Sequence, residues 1–320
     1  MTSADRPRRS CLTVPGSSAR FLAKARDLAA DEVILDLEDA VAPAAKEQAR
    51  AQVSAALAGP GLAGAGWAAP VRAVRINGVV TQWAHRDVID VVEQAGAWLD
   101  AIVLPKVSAP DHIIWLDLLL GQVEQAAGLP AGKIAIEAQI EDAPGLAAVD
   151  AIATASARLA ALIFGPADFM ASLGMRSLRI GAQPDGYAGG DAFHYPHLRI
   201  LVAARAAGLQ AIDGPYAAIS DIGGLAAAAA SVAALGFDGK WVVHPSQIEP
   251  VNAAFAPDQA SYDRAELIID AYAHAGATAQ RGAVLLDGEM IDEASRKLAL
   301  VAAARGRAAG LARTSQFTPR

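Results

Sequence analysis

The chain has 320 residues, 53% of them hydrophobic and 19% charged, and a formal net charge of −7. This composition is typical of a folded globular protein and argues against a disordered chain. The basic residues are dispersed, which argues against a nucleic-acid partner, and the single cysteine, Cys11, excludes an intrachain disulfide.

The N-terminal segment carries no pattern typical of export. Pro15 and Gly16 interrupt the apolar stretch that follows the basic residues too early for a signal-peptide core. No apolar segment approaches the roughly 20 residues that are needed to cross a bilayer. We therefore expect a cytoplasmic protein with no membrane partner.

Eight short β-rich runs alternate with amphipathic or alanine-rich segments, which is typical of parallel strands joined by helical crossovers. Several runs are continuous apolar strings, as expected for strands that are covered on both faces. Eight alternations favour a closed (β/α)8 TIM barrel over an open sheet. The predicted strands are 11–14, 32–37, 71–76, 101–107, 133–140, 159–164, 209–212 and 240–243.

Helix signals fall between these strands. Ser17 and Ser18 can cap a helix that ends near Leu28, and further helices are predicted at 46–57 and 110–126. The glycine-rich segment 58–70 is predicted to be a flexible connection before the third strand.

Two segments depart from the alternation. Residues 181–197 are predicted to form a long loop after the sixth strand, and loops of this length usually shape a substrate mouth. After the eighth strand, two helical segments near 259–275 and 292–310 indicate a C-terminal appendage. We predict a barrel domain at 1–250 and a helical lid at 251–320.

Catalytic groups of such barrels lie at the carboxyl ends of the strands, so polar residues that finish the apolar runs are candidates. Carboxylates that converge from different strands repel one another unless a cation neutralises them. Oxygen ligands without cysteine favour Mg2+ over zinc. The alternative for any single acid is a helix cap or a strand-end ion pair. The candidates are Asp36, Glu38, Asp39, Arg75, Asn77, Lys106, Glu141, Asp142, Asp168, Asp213 and His244.

Two patterns could indicate other chemistry. His194 and His197 have metal-like spacing, but Pro196 lies between them on the predicted loop, so we expect packing or a substrate contact there. Lys106 could form a Schiff base, as strand-borne lysines of barrels do. Because acids surround it in the predicted fold, we expect a charged lysine with an electrostatic or structural role.

Nine segments, in order over about residues 8–310, together resemble the HpcH/HpaI aldolase and citrate lyase β-subunit superfamily. They are PGSSARF, VILDLEDAVAP, VRING, VLPKV, QIEDAPGL, FGPADF, QAIDGPY, FDGKWVVHPSQI and LLDGEMID. Within it the chain is most similar to the malyl-CoA, β-methylmalyl-CoA and citramalyl-CoA lyases. The resemblance implies an enzyme that uses Mg2+, or Mn2+ as an alternative ion. It would cleave a 3-hydroxyacyl-CoA reversibly into a 2-oxo acid, glyoxylate or pyruvate, and acetyl-CoA or propionyl-CoA.

The resemblance also implies the roles of five residues at the strand ends. Glu141 and Asp168 match the two metal ligands of the family. Arg75 matches the arginine that binds the substrate oxygens at the reacting carbon. Glu38 and Asp39 match acids that are held near the metal-bound waters. Together with a lid aspartate, Arg75, Glu38 and Asp39 form the predicted catalytic set.

That lid aspartate is Asp287, which matches a residue that reaches the active site of a neighbouring subunit. It would exchange a proton with the enolate carbon. We therefore expect a homotrimer or homohexamer that exchanges its lids. Lys24 matches a lysine that contacts coenzyme A. The residues assigned to binding of the substrate or of coenzyme A are Thr13, Lys24, Arg75, Ala167, Val243 and His244.

The chain departs from the family's pattern at three positions. Asp142 replaces the usual threonine and adds a second acid beside the predicted ligand, Thr13 replaces a frequent aromatic residue, and Ser18 replaces an arginine of some relatives. These departures leave the acyl group open. Two alternatives remain: a malyl-CoA thioesterase or malate-synthase-like enzyme, and a carrier-dependent subunit like citrate lyase β.

Overall fold

A computed structural model of the chain describes residues 6–59, 66–279 and 282–317. The chain divides into two compact units, residues 1–252 and residues 253–320. The predicted connection at 58–70 falls largely outside the described residues, because 60–65 are not among them.

The first unit contains a closed barrel of eight parallel strands in sequential order, which confirms the predicted TIM barrel. Each predicted strand corresponds to one observed strand, and the boundaries of the two differ by up to three residues. The strands are Ser10–Pro15 (β1), Glu32–Asp36 (β2), Val71–Arg75 (β3), Ala101–Leu104 (β4), Ala135–Ile140 (β5), Leu159–Phe164 (β6), Gln210–Asp213 (β7) and Gly239–Val242 (β8).

Small side chains and one large ring fill the interior of the barrel. The interior cluster contains five alanines and a single aromatic residue, Trp241, which is 3% exposed. Cys11 belongs to the same cluster, and burial raises the pKa of its thiol, so it is a packed side chain. Because small apolar residues pack closely around Trp241, the polar groups of the barrel lie at its two ends.

Helices follow most of the strands, and local sequence accounts for where several of them begin. Ser18 caps the first helix by accepting a hydrogen bond from the Phe21 N–H, and Pro110 opens the fourth at the position where proline fits. The helices are Ala19–Ala25 (α1), Lys46–Ala58 (α2), Ala84–Ala95 (α3), Pro110–Ala126 (α4), Ala143–Ala147 (α5), Val149–Ala153 (α6), Pro166–Ser172 (α7), His194–Ala206 (α8), Ile222–Leu235 (α9) and Ile248–Phe255 (α10).

The predicted loop at 181–197 is wrong at its C-terminal end. The irregular segment ends at Phe193, and His194, Pro196 and His197 lie in the first turn of α8. Proline is tolerated there because the first N–H groups of a helix have no partner within the helix. The His197 ring lies 3.0 Å from Asp213 Oδ1 and is buried, so it packs against β7.

At the amino end of the barrel, Arg8 is buried between two glutamates. Its Nε lies 3.1 Å from Glu32 Oε2 and 2.9 Å from Glu137 Oε1. All three side chains are inaccessible to solvent. Burial and the neighbouring Glu137 raise the pKa of Glu32, so one cation and two acids share this site.

The second unit is a helix pair with a hairpin between the helices. Gln259–Ala279 (α11) and Glu293–Ala308 (α12) pack through Tyr262, Ala265, Ala299 and Ala303. Val284–Leu286 (β9) and Glu289–Ile291 (β10) pair antiparallel between the two helices, where the sequence analysis predicts no strands.

The hairpin turns through Asp287 and Gly288, which have φ angles of 52° and 86°. Two residues with positive φ form the tight turn that suits the twist of paired strands, and Asp-Gly is a favoured sequence for it. Among the described residues, no helix is long and apolar enough to span a bilayer.

Candidate active site

Acids from two elements surround the ammonium of Lys106 at the carboxyl end of the barrel. The Lys106 Nζ lies 2.5 Å from Glu38 Oε1, 3.4 Å from Asp39 and 3.5 Å from Asp168 Oδ2. Glu38 and Asp39 follow β2, whereas Asp168 lies in the first turn of α7, after β6. The closed barrel therefore brings together acids that are 130 residues apart in sequence.

Glu141 completes this cluster from the end of β5. The Lys106 N–H donates to Glu141 Oε1 over 2.6 Å, and Gln139 Nε2 donates to Oε2 over 2.7 Å. Glu141 is 3% exposed. Burial, followed by repulsion from Glu38 and Asp168, raises its pKa to about 8. A buried carboxyl with this pKa lacks a compensating positive charge at its oxygens.

Gln139 was missed by the sequence analysis. It faces the same side of β5 as Glu137 and Glu141, because side chains two residues apart share a face of a strand. Polar residues at every second position of an otherwise apolar strand are the sequence pattern that could have indicated Gln139. The Oε1 of Gln139 is buried and has no hydrogen-bond partner among the described residues.

Gly165 allows β6 to approach Glu141 closely. A Cβ at this position would lie 2.4 Å from Glu141 Cβ and 2.5 Å from its Oε2. Any side chain here would displace the carboxylate. The glycine of the FGPADF segment thus fixes the position of Glu141.

Arg75, at the end of β3, is held from three sides. Its Nε and Nη2 each donate to one oxygen of Asp36 over 2.7 Å, and its Nη1 lies 2.9 Å from Glu38 Oε2. The guanidinium carbon lies 5.3 Å from the centre of the Trp241 ring. Against the opposing effect of burial, the carboxylates of Asp36, Glu38 and Glu141 raise the pKa of Arg75, while the guanidinium keeps the pKa of Asp36 below its usual value. Arg75 is therefore a fixed positive charge beside the acids.

Glu141 and Asp168, which the family resemblance assigns to a metal, have the oxygen donors that a hard divalent ion prefers. Glu141 and Asp168 repel each other, and the buried Gln139 oxygen is a further neutral oxygen close by. Within the described ranges, no three side chains of the His, Cys, Asp and Glu types stand in metal-binding geometry. An ion at these two acids would take water and substrate oxygens as its other ligands.

Asp142 does not join this acid cluster. Its Oδ1 accepts a hydrogen bond from the Gly145 N–H over 2.6 Å and caps α5. Its backbone is extended, which is usual for an N-cap residue. Asp142 is thus a helix cap, which is the alternative that the sequence analysis leaves open for each strand-end acid.

A cavity of about 250 Å³ lies between the end of β1, α1 and the end of β8. It brings together four residues that were assigned to coenzyme A or thioester binding: Thr13, Lys24, Val243 and His244. Thr13 Oγ1 is buried there without a hydrogen-bond partner in the described part of the chain. The lining is mostly apolar, with an exposed lysine in α1, as a thioester with a charged nucleotide end would require.

Two further predicted residues directly follow β8, and a third lies in α7. The Val243 N–H donates to Gln247 Oε1, and His244 Nδ1 lies 2.8 Å from Ser246 Oγ, so the backbone beyond β8 is held in place. Ala167 is exposed next to Asp168 in α7. Asp287 belongs to the second unit, where its Oδ2 accepts a hydrogen bond from Arg264 Nη1 over 2.8 Å.

A second cavity, of about 280 Å³, has buried charged groups in its lining. Lys240 Nζ donates to Asp213 Oδ2 over 2.5 Å and to the Gly214 carbonyl over 2.7 Å. His197 contacts the other oxygen of Asp213. Because these groups satisfy one another, the cluster joins β7, β8 and α8.

The lysine at the centre of the acid cluster is ill suited to Schiff-base chemistry. Its acidic neighbours raise the pKa of Lys106, and a nucleophilic amine must be deprotonated. The expectation of a charged Lys106 agrees with these contacts. The sequence analysis expects acids around Lys106, and the structure names them as Glu38, Asp39 and Asp168.

Comparisons with known proteins extend over most of the chain. The model of the family described as HpcH/HpaI aldolase/citrate lyase matches residues 9–245. The L-malyl-CoA/beta-methylmalyl-CoA lyase of Cereibacter sphaeroides is 38% identical over 304 residues, which cover 92% of this chain and 93% of that protein. The citrate lyase subunit beta of Escherichia coli is 33% identical over 287 residues, which cover 90% and 89%.

Solved structures give the same result. The CitE protein of Mycobacterium tuberculosis, in complex with magnesium, acetoacetate and coenzyme A, matches with a TM-score of 0.73 and 29% identity. The match covers 95% of this chain and 99% of that chain. The citrate lyase beta subunit of the same organism, complexed with oxaloacetate and magnesium, matches with a TM-score of 0.62 and 30% identity over 80% of this chain.

Proposed function

Because the chain belongs to the HpcH/HpaI aldolase/citrate lyase family and is a lyase, we propose that it reversibly cleaves a 3-hydroxyacyl-CoA such as (3S)-malyl-CoA. The products are a 2-oxo acid, glyoxylate or pyruvate, and acetyl-CoA or propionyl-CoA. β-Methylmalyl-CoA and citramalyl-CoA are the other candidate substrates. The relatives that are named lyases of malyl-CoA and β-methylmalyl-CoA support this choice.

One observation carries the proposal: a buried carboxyl, Glu141, lies beside a fixed arginine and two further acids. Arg75 supplies positive charge where an oxygen becomes negative. The raised pKa of Glu141 reflects the need for a cation at the acids. We assign Mg2+ to this place, with Glu141 and Asp168 as its ligands. When bound, it would act as a Lewis acid on the carbonyl of the oxo acid.

The reaction breaks the bond between the carbon that bears the hydroxyl group and the carbon next to the thioester. The hydroxyl proton leaves to the acids at the end of β2, Glu38 or Asp39. The electron pair of the broken bond moves to the thioester, which becomes an enolate. Arg75 binds the oxygens at the reacting carbon and opposes the charge that develops there. Thr13, Lys24, Ala167, Val243 and His244 bind the thioester and coenzyme A.

We assign the protonation of the enolate carbon to Asp287 of a neighbouring subunit. Asp287 is 63% exposed at a tight turn, and Arg264 holds its side chain. An exposed acid at a hairpin tip suits a group that acts on another chain. A homotrimer or homohexamer that exchanges its C-terminal units follows from this assignment.

Two other reactions have some support. A thioesterase or malate-synthase-like enzyme would use the same acids and would release free CoA. A citryl thioester lyase is suggested by the relatives that are named citrate lyase subunit beta.

A substrate panel tests the proposal. Purified protein with Mg2+ is mixed with malyl-CoA, β-methylmalyl-CoA or citramalyl-CoA, and 2-oxo acid and free CoA are both measured. We expect glyoxylate or pyruvate without an equal amount of free CoA, and loss of the activity in EDTA. Release of free CoA alone would favour the thioesterase, and no product from any of the three would overturn the proposal.

Two variants test the metal assignment. Glu141→Gln and Asp168→Asn should each reduce turnover roughly 100-fold or more, because each removes a charged ligand of the ion. Glu93→Gln is the matched control, since Glu93 is an exposed glutamate of α3 away from the strand ends. Wild-type turnover in Glu141→Gln would show that the ion is not held there.

A further inference from the structure

Lys106 contacts both proposed metal ligands through different atoms. Its backbone N–H donates to Glu141 Oε1, and its Nζ lies 3.5 Å from Asp168 Oδ2. The same Nζ is closest to Glu38, at 2.5 Å, and also contacts Asp39. One residue thus connects all four acids.

The backbone of Lys106 is turned to make these contacts. Its φ angle is 53°, a left-handed conformation that is uncommon for residues other than glycine, asparagine and aspartate. Such a conformation costs free energy and persists where the surroundings hold it. Here it directs the N–H of Lys106 to Glu141 and its ammonium to the other acids.

The acids of this site need positive charges to balance them, and the ammonium of Lys106 is one of these charges. Glu38, Asp39, Glu141 and Asp168 carry up to four negative charges, and each of these acids contacts an atom of Lys106. Arg75 is occupied by both oxygens of Asp36 as well as by Glu38. The ammonium of Lys106 is therefore the positive charge closest to Asp168 among the contacts in the described residues.

A divalent ion and the Lys106 ammonium compete for the same acids. The ion needs an oxygen of Asp168 at about 2.0–2.1 Å, and two cations at one carboxylate repel each other. The side chain of Lys106 is 41% exposed, so it has room to move toward solvent. Glu38 and Asp39, at the end of β2, can keep the ammonium once it has left Asp168.

We propose that Lys106 stands in for the metal ion when the site is empty, and that its ammonium withdraws from Asp168 when the ion binds, so that it sets the affinity of the site. The inference rests on the proposed assignment of Glu141 and Asp168 as ligands. Lys106 is a positioning residue in this scheme: it acts on the acids and forms no bond with the substrate.

Metal binding to three variants tests this, with dissociation constants for Mn2+ measured from the free ion by electron paramagnetic resonance. Lys106→Met, which removes the charge, should bind Mn2+ roughly tenfold more tightly or better. Lys106→Arg, which keeps the charge, should stay within about threefold of wild type. Lys297→Met, at an exposed lysine of α12, controls for the change in net charge.

The melting temperature without metal is a second readout. Lys106→Met should melt below wild type in EDTA, because the acids lose their counter-charge, and should gain more than wild type when Mg2+ is added. If Lys106→Met does not fold, Lys106→Gln is measured in its place. A third readout needs no variant: reductive methylation of Lys106 in wild-type protein, followed by mass spectrometry, should be faster with Mg2+ than without it.

The two assignments fail in different ways. An unchanged or weaker Mn2+ affinity in Lys106→Met, with binding still abolished by Glu141→Gln, would overturn the role of Lys106 and leave the metal site intact. An Mn2+ affinity that Glu141→Gln and Asp168→Asn both leave unchanged would overturn the metal site itself. An unchanged methylation rate would also count against the displacement of Lys106.

Discussion

The guanidinium of Arg75 donates one hydrogen bond to each carboxylate oxygen of Asp36, both over 2.7 Å. Such a paired contact fixes the plane of the guanidinium as well as its position. Asp36 is fully buried and also accepts from the backbone N–H groups of Glu38 and Ala40. The end of β2 therefore positions both Arg75 and the acids that follow the strand.

We expect Asp36→Asn to lower kcat roughly 10- to 100-fold, because the amide accepts only one of the two hydrogen bonds and releases Arg75 from its fixed plane. Steady-state kinetics with the preferred thioester measure the change. Asp31→Asn is the matched control, since Asp31 forms the same paired contact with Arg9 at the amino end of the barrel. The control should lose stability and keep kcat; equal losses of kcat in the two variants would contradict a positioning role for Asp36.

Lys24→Ala should raise KM for the acyl-CoA several-fold and leave kcat almost unchanged. Lys24 is exposed in the lining of the 250 Å³ cavity. Under the proposed function its charge binds a phosphate of coenzyme A, so its loss weakens binding and spares the chemical step. Kinetics with a pantetheine thioester, which lacks the nucleotide, provide the control. The increase in KM should disappear with that substrate, and an increase of the same size there would place Lys24 elsewhere in the binding site.

Asp287→Asn should abolish most turnover while leaving the barrel folded. The stronger test is complementation: Asp287→Asn protein is mixed with Glu141→Gln protein under conditions that exchange subunits, and turnover is measured. If the site combines a barrel from one chain with Asp287 from another, some sites in the mixture contain neither change, so activity should return. A mixture as inactive as its two components would argue against exchanged lids.

The stability of the protein should fall as pH rises above about 4.5, in part because of Glu32. Burial and Glu137 raise the pKa of Glu32 in the folded state above its ordinary value of 4.5. Between those two pKa values the unfolded chain is ionised at Glu32 and the folded chain is not. Unfolding then releases a proton, and stability declines by up to about 1.4 kcal/mol per pH unit.

Glu32→Gln removes this proton release, so its stability relative to wild type should increase as pH rises above about 4.5. Urea unfolding at several pH values measures the difference. Glu124→Gln is a control of opposite sign, because the hydrogen bonds from Arg158 lower the pKa of Glu124 and its linkage lies below pH 4.5. A difference between wild type and Glu32→Gln that does not change with pH would show that Glu32 is ionised in the folded protein.

The barrel was predictable because its strands are short apolar strings that end in polar residues. LAALIF, for example, matches β6 at both ends. The predicted loop extends over the first turn of α8 because Pro196 resembles a helix break, although proline is tolerated in the first turn of a helix. The hairpin of β9 and β10 was also missed, even though its Asp-Gly turn is a strong hairpin signal.

The acids at the strand ends were found by the same rule that found the barrel. What the rule could not supply was the direction of each side chain. Asp142 caps α5, whereas its neighbour Glu141 contacts Lys106 in the site. Where the chain leaves a strand, adjacent side chains point in different directions, and the sequence does not show which one enters the site. The left-handed backbone of Lys106 has no signature in the sequence either, since lysine rarely adopts it.

The indole of Trp241 occupies the space that the alanines around it leave open, and Arg75 rests against the same ring. Trp241 therefore both fills the interior of the barrel and supports the guanidinium of Arg75. Enlarging one of these alanines would shift the indole and with it the guanidinium, so a change made for packing should slow the enzyme as well as destabilise it.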